Sequence, residues 1–135
     1  MISQDHDRYE RGLAKLAEVD GHAGEQVVAP LGDLGRYIVE FAFGDIYSRG
    51  VLSLRERELA TVAMLAAMGG REPQLRVHLG AALGVGVTPR ELEEAVLQTV
   101  PYAGFPTAIN AMNALKQVLA ERGAADAGTT WEMQI

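Results

Sequence analysis

Apolar positions along this chain recur mostly three and four residues apart, and strand-like alternation is rare. A first helix is expected over roughly Asp5–Glu18, followed by a loop, "VDGHAGEQ", that carries two glycines. Leu31, Leu34, Ile38, Phe41 and Ile46 then recur at mostly helical spacing. They predict a second, longer helix from about Pro30 to Ser48, which Gly50 ends.

"SLRE" at Ser53 reads as a capping box, in which the serine oxygen takes the Glu56 amide and Glu56 reaches back to the serine amide. It opens a third helix that continues through "RELATVAMLAAM" and stops at Gly69-Gly70. Pro73 suits the first turn of a fourth helix, which runs to about Val85. Thr88, Pro89 and Glu91 repeat the start signal for a fifth. That helix is expected to end near Val100, because Pro101 disfavours the helical region at the residue before it. After the elbow "PYAGFP", a sixth helix runs from Pro106 to Arg122, with Gly123 at C′.

The pattern therefore predicts an all-α fold of about six helices with short connections. A single domain is expected over 1–123, with a tail over 124–135 whose "WEMQI" is expected to dock, a neighbouring subunit being one candidate.

Composition narrows the function more than the fold. The 135 residues suit one domain, and 48% of them are apolar, enough to build a core. The formal net charge is −6 and there is no basic stripe, so a nucleic-acid partner is not expected. There is no cysteine, which removes disulfides, thiolate metal sites and thiol redox catalysis together. The N-terminal "MISQDHDRYERG" lacks the apolar core of a secretory signal, and no apolar run reaches the ~18 residues of a membrane span. A cytoplasmic protein with no membrane partner is the expectation. His6, His22 and His78 are scattered without metal-ligand spacing, so no metal is expected.

His78 lies within about 60° of Leu75, Ala82 and Val85 around its helix, on or beside the apolar stripe. It reads either as a packed core histidine or as an acid–base group, since imidazole is the side chain best placed to exchange a proton near neutrality. Glu58 lies within about 60° of Thr61, Val62 and Leu65, at the edge of an apolar face and one turn after Arg55. It reads as a surface charge paired with Arg55 or as a general acid or base. If the third and fourth helices pack as a simple antiparallel hairpin, Glu58 and His78 are offset by roughly 10 Å. A direct hydrogen bond then requires splayed helices, a bridging water or a second subunit. Arg76 points about 160° away from His78, and Arg49 projects from the end of the second helix. Each reads as a surface residue or as a guanidinium fork for a ligand carboxylate. Gln98 reads as an interior polar group, Tyr102 as an elbow aromatic, and Asn110 and Asn113 as helix-packing amides.

Taken in order, "RYERGL", "EVDG", "FAFGDIYSR", "RERELATVAMLAAMGGREPQLRVHL", "GVTPRELEEAVLQ" and "YAGFPTAINAM" resemble the carboxymuconolactone decarboxylase family over roughly residues 8–123. The resemblance implies an alkyl hydroperoxidase D-like orthogonal helical bundle that assembles as a homo-oligomer, a trimer or hexamer, with sites near subunit interfaces. It implies an enzyme that needs no cofactor and decarboxylates 4-carboxymuconolactone, or a similar small carboxylated molecule, in aromatic-acid breakdown. The family's histidine carries over as His78, a catalytic residue, and Glu58, the second catalytic candidate, matches the position where peroxidase-type members carry a proton-relay glutamate. The neighbouring arginine carries over as Arg76, and Arg49 or Arg76 is expected to hold a substrate carboxylate; Gln98, which stands where the decarboxylases often have a histidine, and Tyr102 are further substrate-binding candidates. The family's thiol peroxidase branch requires C-x-x-C ahead of the histidine, and "MGGREPQLRVH" has none. The alternatives are a non-catalytic oligomeric small-molecule binder or accessory protein, and a member with different acid–base chemistry.

Overall fold

The computed structural model describes residues 2–123, and the 124–135 tail with its "WEMQI" lies outside them. The described chain is all-α, with six helices and no strand. The helices are α1 (Ile2–Val28), α2 (Asp33–Tyr37), α3 (Leu54–Met68), α4 (Glu72–Gly84), α5 (Pro89–Ala103) and α6 (Phe105–Glu121). A 3₁₀ turn, Ala29–Leu31, precedes α2, and a π-helical segment, Ile38–Tyr47, continues it. The chain divides between Arg57 and Glu58 into two compact units. No helix among the described residues is long and apolar enough to cross a membrane.

In the first unit α1 runs further than its sequence pattern suggests. The expected eight-residue loop is a single break at Gly21, whose φ of 57° and ψ of −144° suit a residue without a Cβ. α1 packs chiefly against the π-helical segment. Glycine makes this approach possible: a Cβ on Gly12 would stand 2.0 Å from the Val39 carbonyl oxygen, and one on Gly44 would stand 2.7 Å from that of Arg8.

The second helix departs from its predicted stripe. Leu31, Leu34, Phe41 and Ile46 are all exposed. The buried positions are Gly35 in α2 and Val39, Phe43 and Gly44 in the π-helical segment. From Ile38 on the i→i+5 ladder carries more residues per turn than an α-helix, so a stripe read at α-helical spacing does not stay on the inward face. Glycines, invisible to a hydrophobic pattern, mark this face.

The second unit holds the main core, in which Val62, Leu75, Leu79, Leu92, Val96 and Leu115 pack together. α6 is packed against both α4 and α5. Both predicted capping boxes form. Ser53 Oγ accepts the Glu56 amide at 3.0 Å, and Glu56 Oε1 accepts the Ser53 amide at 2.8 Å. These bonds, the backbone one foremost, hold the Glu56 carboxyl below its ordinary range. Thr88 and Glu91 exchange the same pair at 3.1 and 2.9 Å. α5 does not stop at Val100 but continues through Pro101 to Ala103, where Gly104 ends it at φ 91°. A proline this late removes one ladder bond, and its bias against a helical preceding residue is overridden in the last turn. Gly123, at φ 66°, follows α6 as expected.

Candidate functional site

The α3 capping box fixes where that helix begins, and so places Glu58 in its second turn on the same inward face as Val62 and Ala66. Glu58 is 0% exposed, so the surface reading of this carboxylate does not hold. A carboxylate removed from water needs strong hydrogen-bond partners. Its partner comes from α4. Pro73 starts that helix, Leu75, Leu79 and Ala82 turn into the core, and His78 sits at the margin of this buried stripe. The His78 Nδ1 lies 3.0 Å from both Oε1 and Oε2 of Glu58.

The two residues therefore meet directly. The hairpin register, with its offset of roughly 10 Å, does not form. α3 and α4 make little lengthwise backbone contact, while α4 lies along α6 instead. Splaying lets Glu58 and His78 converge over a separation of twenty residues.

An ionised carboxylate accepts hydrogen bonds and donates none. With Glu58 ionised, Nδ1–H donates to it, and Nε2 is the ring nitrogen left for chemistry. Nε2 has no hydrogen-bond partner among the described residues, and 24% of the His78 side chain is exposed. One side of the imidazole is thus held by a buried carboxyl group while the other is open. An orienting acid behind a histidine fixes its tautomer and stabilises the imidazolium formed when it takes up a proton.

None of the other candidates has a hydrogen bond to this pair among the described residues. Arg76 gives its fork to α6, with Nη1 donating to Gln117 Oε1 and Nη2 to Glu121 Oε1 at 2.6 Å. Gln98 is exposed, contrary to the interior reading, because the inward positions of α5 are Leu92, Val96 and Thr99. Thr99, the buried polar residue of that helix, donates its hydroxyl to the Val96 carbonyl at 2.7 Å. Tyr102 is 84% exposed. Asn110 and Asn113 are exposed rather than packed between helices. In the first unit, Arg49 is exposed, and its backbone carbonyl accepts from Arg57 Nη2 at 3.0 Å.

Sequence reasoning passed over one ionic cluster in that unit. Arg8 grips Asp45 with Nε–Oδ1 3.1 Å and Nη2–Oδ2 2.7 Å, and Arg11 Nε donates to the Gly44 carbonyl at 2.8 Å. The Arg8 hydrogen bonds, with the charges of Arg8 and Arg11, hold the Asp45 carboxyl below its ordinary range against a smaller desolvation effect. The partners are 33 to 37 residues apart, beyond the reach of helical periodicity.

Residues 32–117 match the model of the carboxymuconolactone decarboxylase family. The chain is 37% identical over 126 residues to a 4-carboxymuconolactone decarboxylase of Acinetobacter baylyi, covering 90% of this chain and 93% of that protein. It is 33% identical over 85 residues to an uncharacterized 15.0 kDa protein of Paracoccus denitrificans, covering 62% and 63%. It is 35% identical over 75 residues to a nitrosuccinic acid decarboxylase of Metarhizium robertsii, covering 56% and 52%. An all-α chain, matched by the family model over most of its length and alignable almost end to end with a decarboxylase, belongs to the carboxymuconolactone decarboxylase family.

Proposed function

We propose that this protein is a cofactor-independent carboxy-lyase acting on a small carboxylated lactone, with 4-carboxymuconolactone the first substrate to try. The observation that carries the reading is the His78–Glu58 pair, a buried carboxylate behind a partly open imidazole. In a simple binder His78 is expected to be satisfied by a backbone carbonyl. Its pairing with a carboxylate favours acid–base work. The decarboxylase relatives, one acting on 4-carboxymuconolactone and one on nitrosuccinic acid by their names, support carbon dioxide loss as the reaction class.

Decarboxylation releases carbon dioxide and leaves the electron pair of the broken C–C bond on the substrate. A lactone carbonyl in conjugation delocalises that pair as an enolate. His78, charged and hydrogen-bonded to Glu58 through Nδ1, delivers the Nε2 proton to carbon, and solvent returns it. In this scheme His78 is the catalytic residue and Glu58 positions it. Arg76, once released from Glu121, is a proposed carboxylate-binding group, and Gln98 and Tyr102 are proposed to line the substrate.

The protein is further proposed to act as a homo-oligomer. Met64, Met68, Phe105 and Ile109 are each more than half exposed, apolar surface that a second copy of the chain is proposed to cover. Light scattering on the purified chain reads the oligomeric state directly.

The functional experiment is incubation with 4-carboxymuconolactone while carbon dioxide release is followed. Turnover that falls about 10²–10⁴-fold in His78→Ala supports the reading. A folded His78→Ala protein with unchanged turnover overturns it.

A further inference from the structure

Of the three histidines, only His78 has a buried acid behind it among the described residues. His6 Nε2 lies 3.8 Å from Glu10 Oε1, with 70% of the one side chain and 61% of the other exposed, and His22 is exposed. Water competes for the bonds of such open imidazoles and fixes no tautomer. Glu58 is 0% exposed, so its bond to the His78 Nδ1 forms where the dielectric is low. An ionised Glu58 accepts Nδ1–H, and the lone pair of a neutral His78 then sits on Nε2.

That lone pair is not engaged. The hydrogen bonds of His78 both run from Nδ1 to Glu58. A histidine that activates a nucleophile holds a hydroxyl or thiol against this nitrogen. None is hydrogen-bonded there among the described residues, and the chain has no cysteine. The arrangement suits direct proton transfer with a substrate rather than covalent catalysis. Proton transfer runs both ways: a group that delivers a proton to the carbon beside a lactone carbonyl also removes one from that position by the same path. No carboxyl group is needed for that reverse step.

We propose that the Glu58–His78 pair has a second activity, the enolisation of small lactones that carry an acidic C–H beside the carbonyl and no carboxyl group. The C–H bond breaks, an Nε2–H bond forms, and the electron pair spreads onto the carbonyl oxygen as an enolate. Glu58 stabilises the imidazolium. The open side of the ring lets Nε2 exchange its proton with water before one returns to carbon, so the net change is exchange of a carbon-bound hydrogen with solvent. This activity rests on the proton-delivery step proposed above and extends it to lactones that cannot lose carbon dioxide. His78 is its catalytic residue and Glu58 the positioning residue.

The probe is α-angelica lactone, a five-membered lactone with an acidic CH₂ beside its carbonyl and no carboxyl group. It is dissolved in deuterium oxide with the full chain, and loss of the CH₂ signal is followed by proton NMR. Exchange is expected to outrun that given by free imidazole at the same concentration. It is expected to fall about 10²–10⁴-fold in His78→Ala, and by a smaller factor in Glu58→Gln, in kcat rather than KM. His6→Ala and His22→Ala are expected to leave it unchanged. His78→Gln serves as the test variant should His78→Ala fail to fold. Exchange no faster than that of free imidazole overturns the activity. So do equal losses in the three histidine variants, which mark exposed imidazole at large. A Glu58→Gln protein with kcat unchanged overturns the positioning role. Carbon dioxide release from 4-carboxymuconolactone is followed in parallel with the wild-type chain. Release without exchange overturns the second activity and leaves the decarboxylase reading standing. Exchange without release supports the second activity and overturns the decarboxylase reading.

Discussion

The imidazole Nδ1 of His78 stands 3.0 Å from each carboxylate oxygen of Glu58, and Glu58 is wholly removed from solvent. A pair built this way is costly to break. Glu58→Ala leaves the imidazole without its partner and opens a cavity in the core. It is expected to cost about 2–4 kcal/mol, below the upper range for a buried pair because His78 is partly solvated. Glu58→Gln retains an acceptor and is expected to cost about 1–2 kcal/mol. Urea unfolding midpoints with unchanged slope read both values. Equal losses in the two variants would contradict a hydrogen-bonding role.

Glycine at 12 is a packing requirement, and glycine at 80 is not. Alanine at Gly12 would set its Cβ 2.0 Å from the Val39 carbonyl oxygen, a backbone atom that cannot swing aside. Gly12→Ala is expected to destabilise the first unit by about 1–3 kcal/mol or more. A Cβ on Gly80 meets only the Arg122 Nη1, at 3.4 Å, at the end of a flexible side chain. Gly80→Ala is expected to stabilise by about 0.4–1 kcal/mol, through reduced freedom of the unfolded chain. Thermal melts of the two variants, shifting in opposite directions, check the contrast.

The altered face of the second helix is open to a similar comparison. Val39 is 1% exposed and Leu34 61%. Val39→Ala is expected to cost about 2 kcal/mol, from lost transfer energy and the cavity left behind. Leu34→Ala is expected to stay within about 0.5 kcal/mol of wild type. The hydrophobic pattern alone predicts the reverse order, so the pair distinguishes the stripe read from sequence from the face the structure buries.

These contrasts show where the sequence is readable. Short-range chemistry was legible: the Ser53–Glu56 and Thr88–Glu91 boxes, Pro73 in a first turn and Gly123 after the last helix all stand where local rules put them. His78 and Glu58 were legible as a pair of interest from their place beside apolar faces. Their direct contact was not, because it depends on how far α3 and α4 splay, which the local hydrophobic pattern does not fix. The inward face at Gly35, Val39, Phe43 and Gly44 was hidden because two of its four members have no side chain. Arg8, Arg11 and Asp45 were hidden because their pairing spans most of the first unit.

Acid should loosen the first unit through Asp45. Its carboxyl, held below the ordinary aspartate value of about 3.9 by the Arg8 hydrogen bonds first, binds its proton more readily in the unfolded chain. The stabilisation is complete above that ordinary value and is lost as pH falls through the lower folded value. Asp45→Asn has no such charge to lose. Its urea midpoint is expected to be lower than wild type near neutrality and to converge on it as the pH drops below about 4. Parallel pH profiles for the two proteins would contradict the clamp.

Glu58 is held to act through His78, and a kinetic cycle on carbon dioxide release from 4-carboxymuconolactone tests that claim most directly. The four proteins are wild type, His78→Ala, Glu58→Gln and the double variant, compared by kcat/KM. The account predicts a loss of about 10²–10⁴-fold for His78→Ala, a smaller loss for Glu58→Gln, and a double variant no slower than His78→Ala alone. A Glu58→Gln loss that multiplies in full onto that of His78→Ala would contradict it, as would a His78→Ala protein that folds and releases carbon dioxide at the wild-type rate.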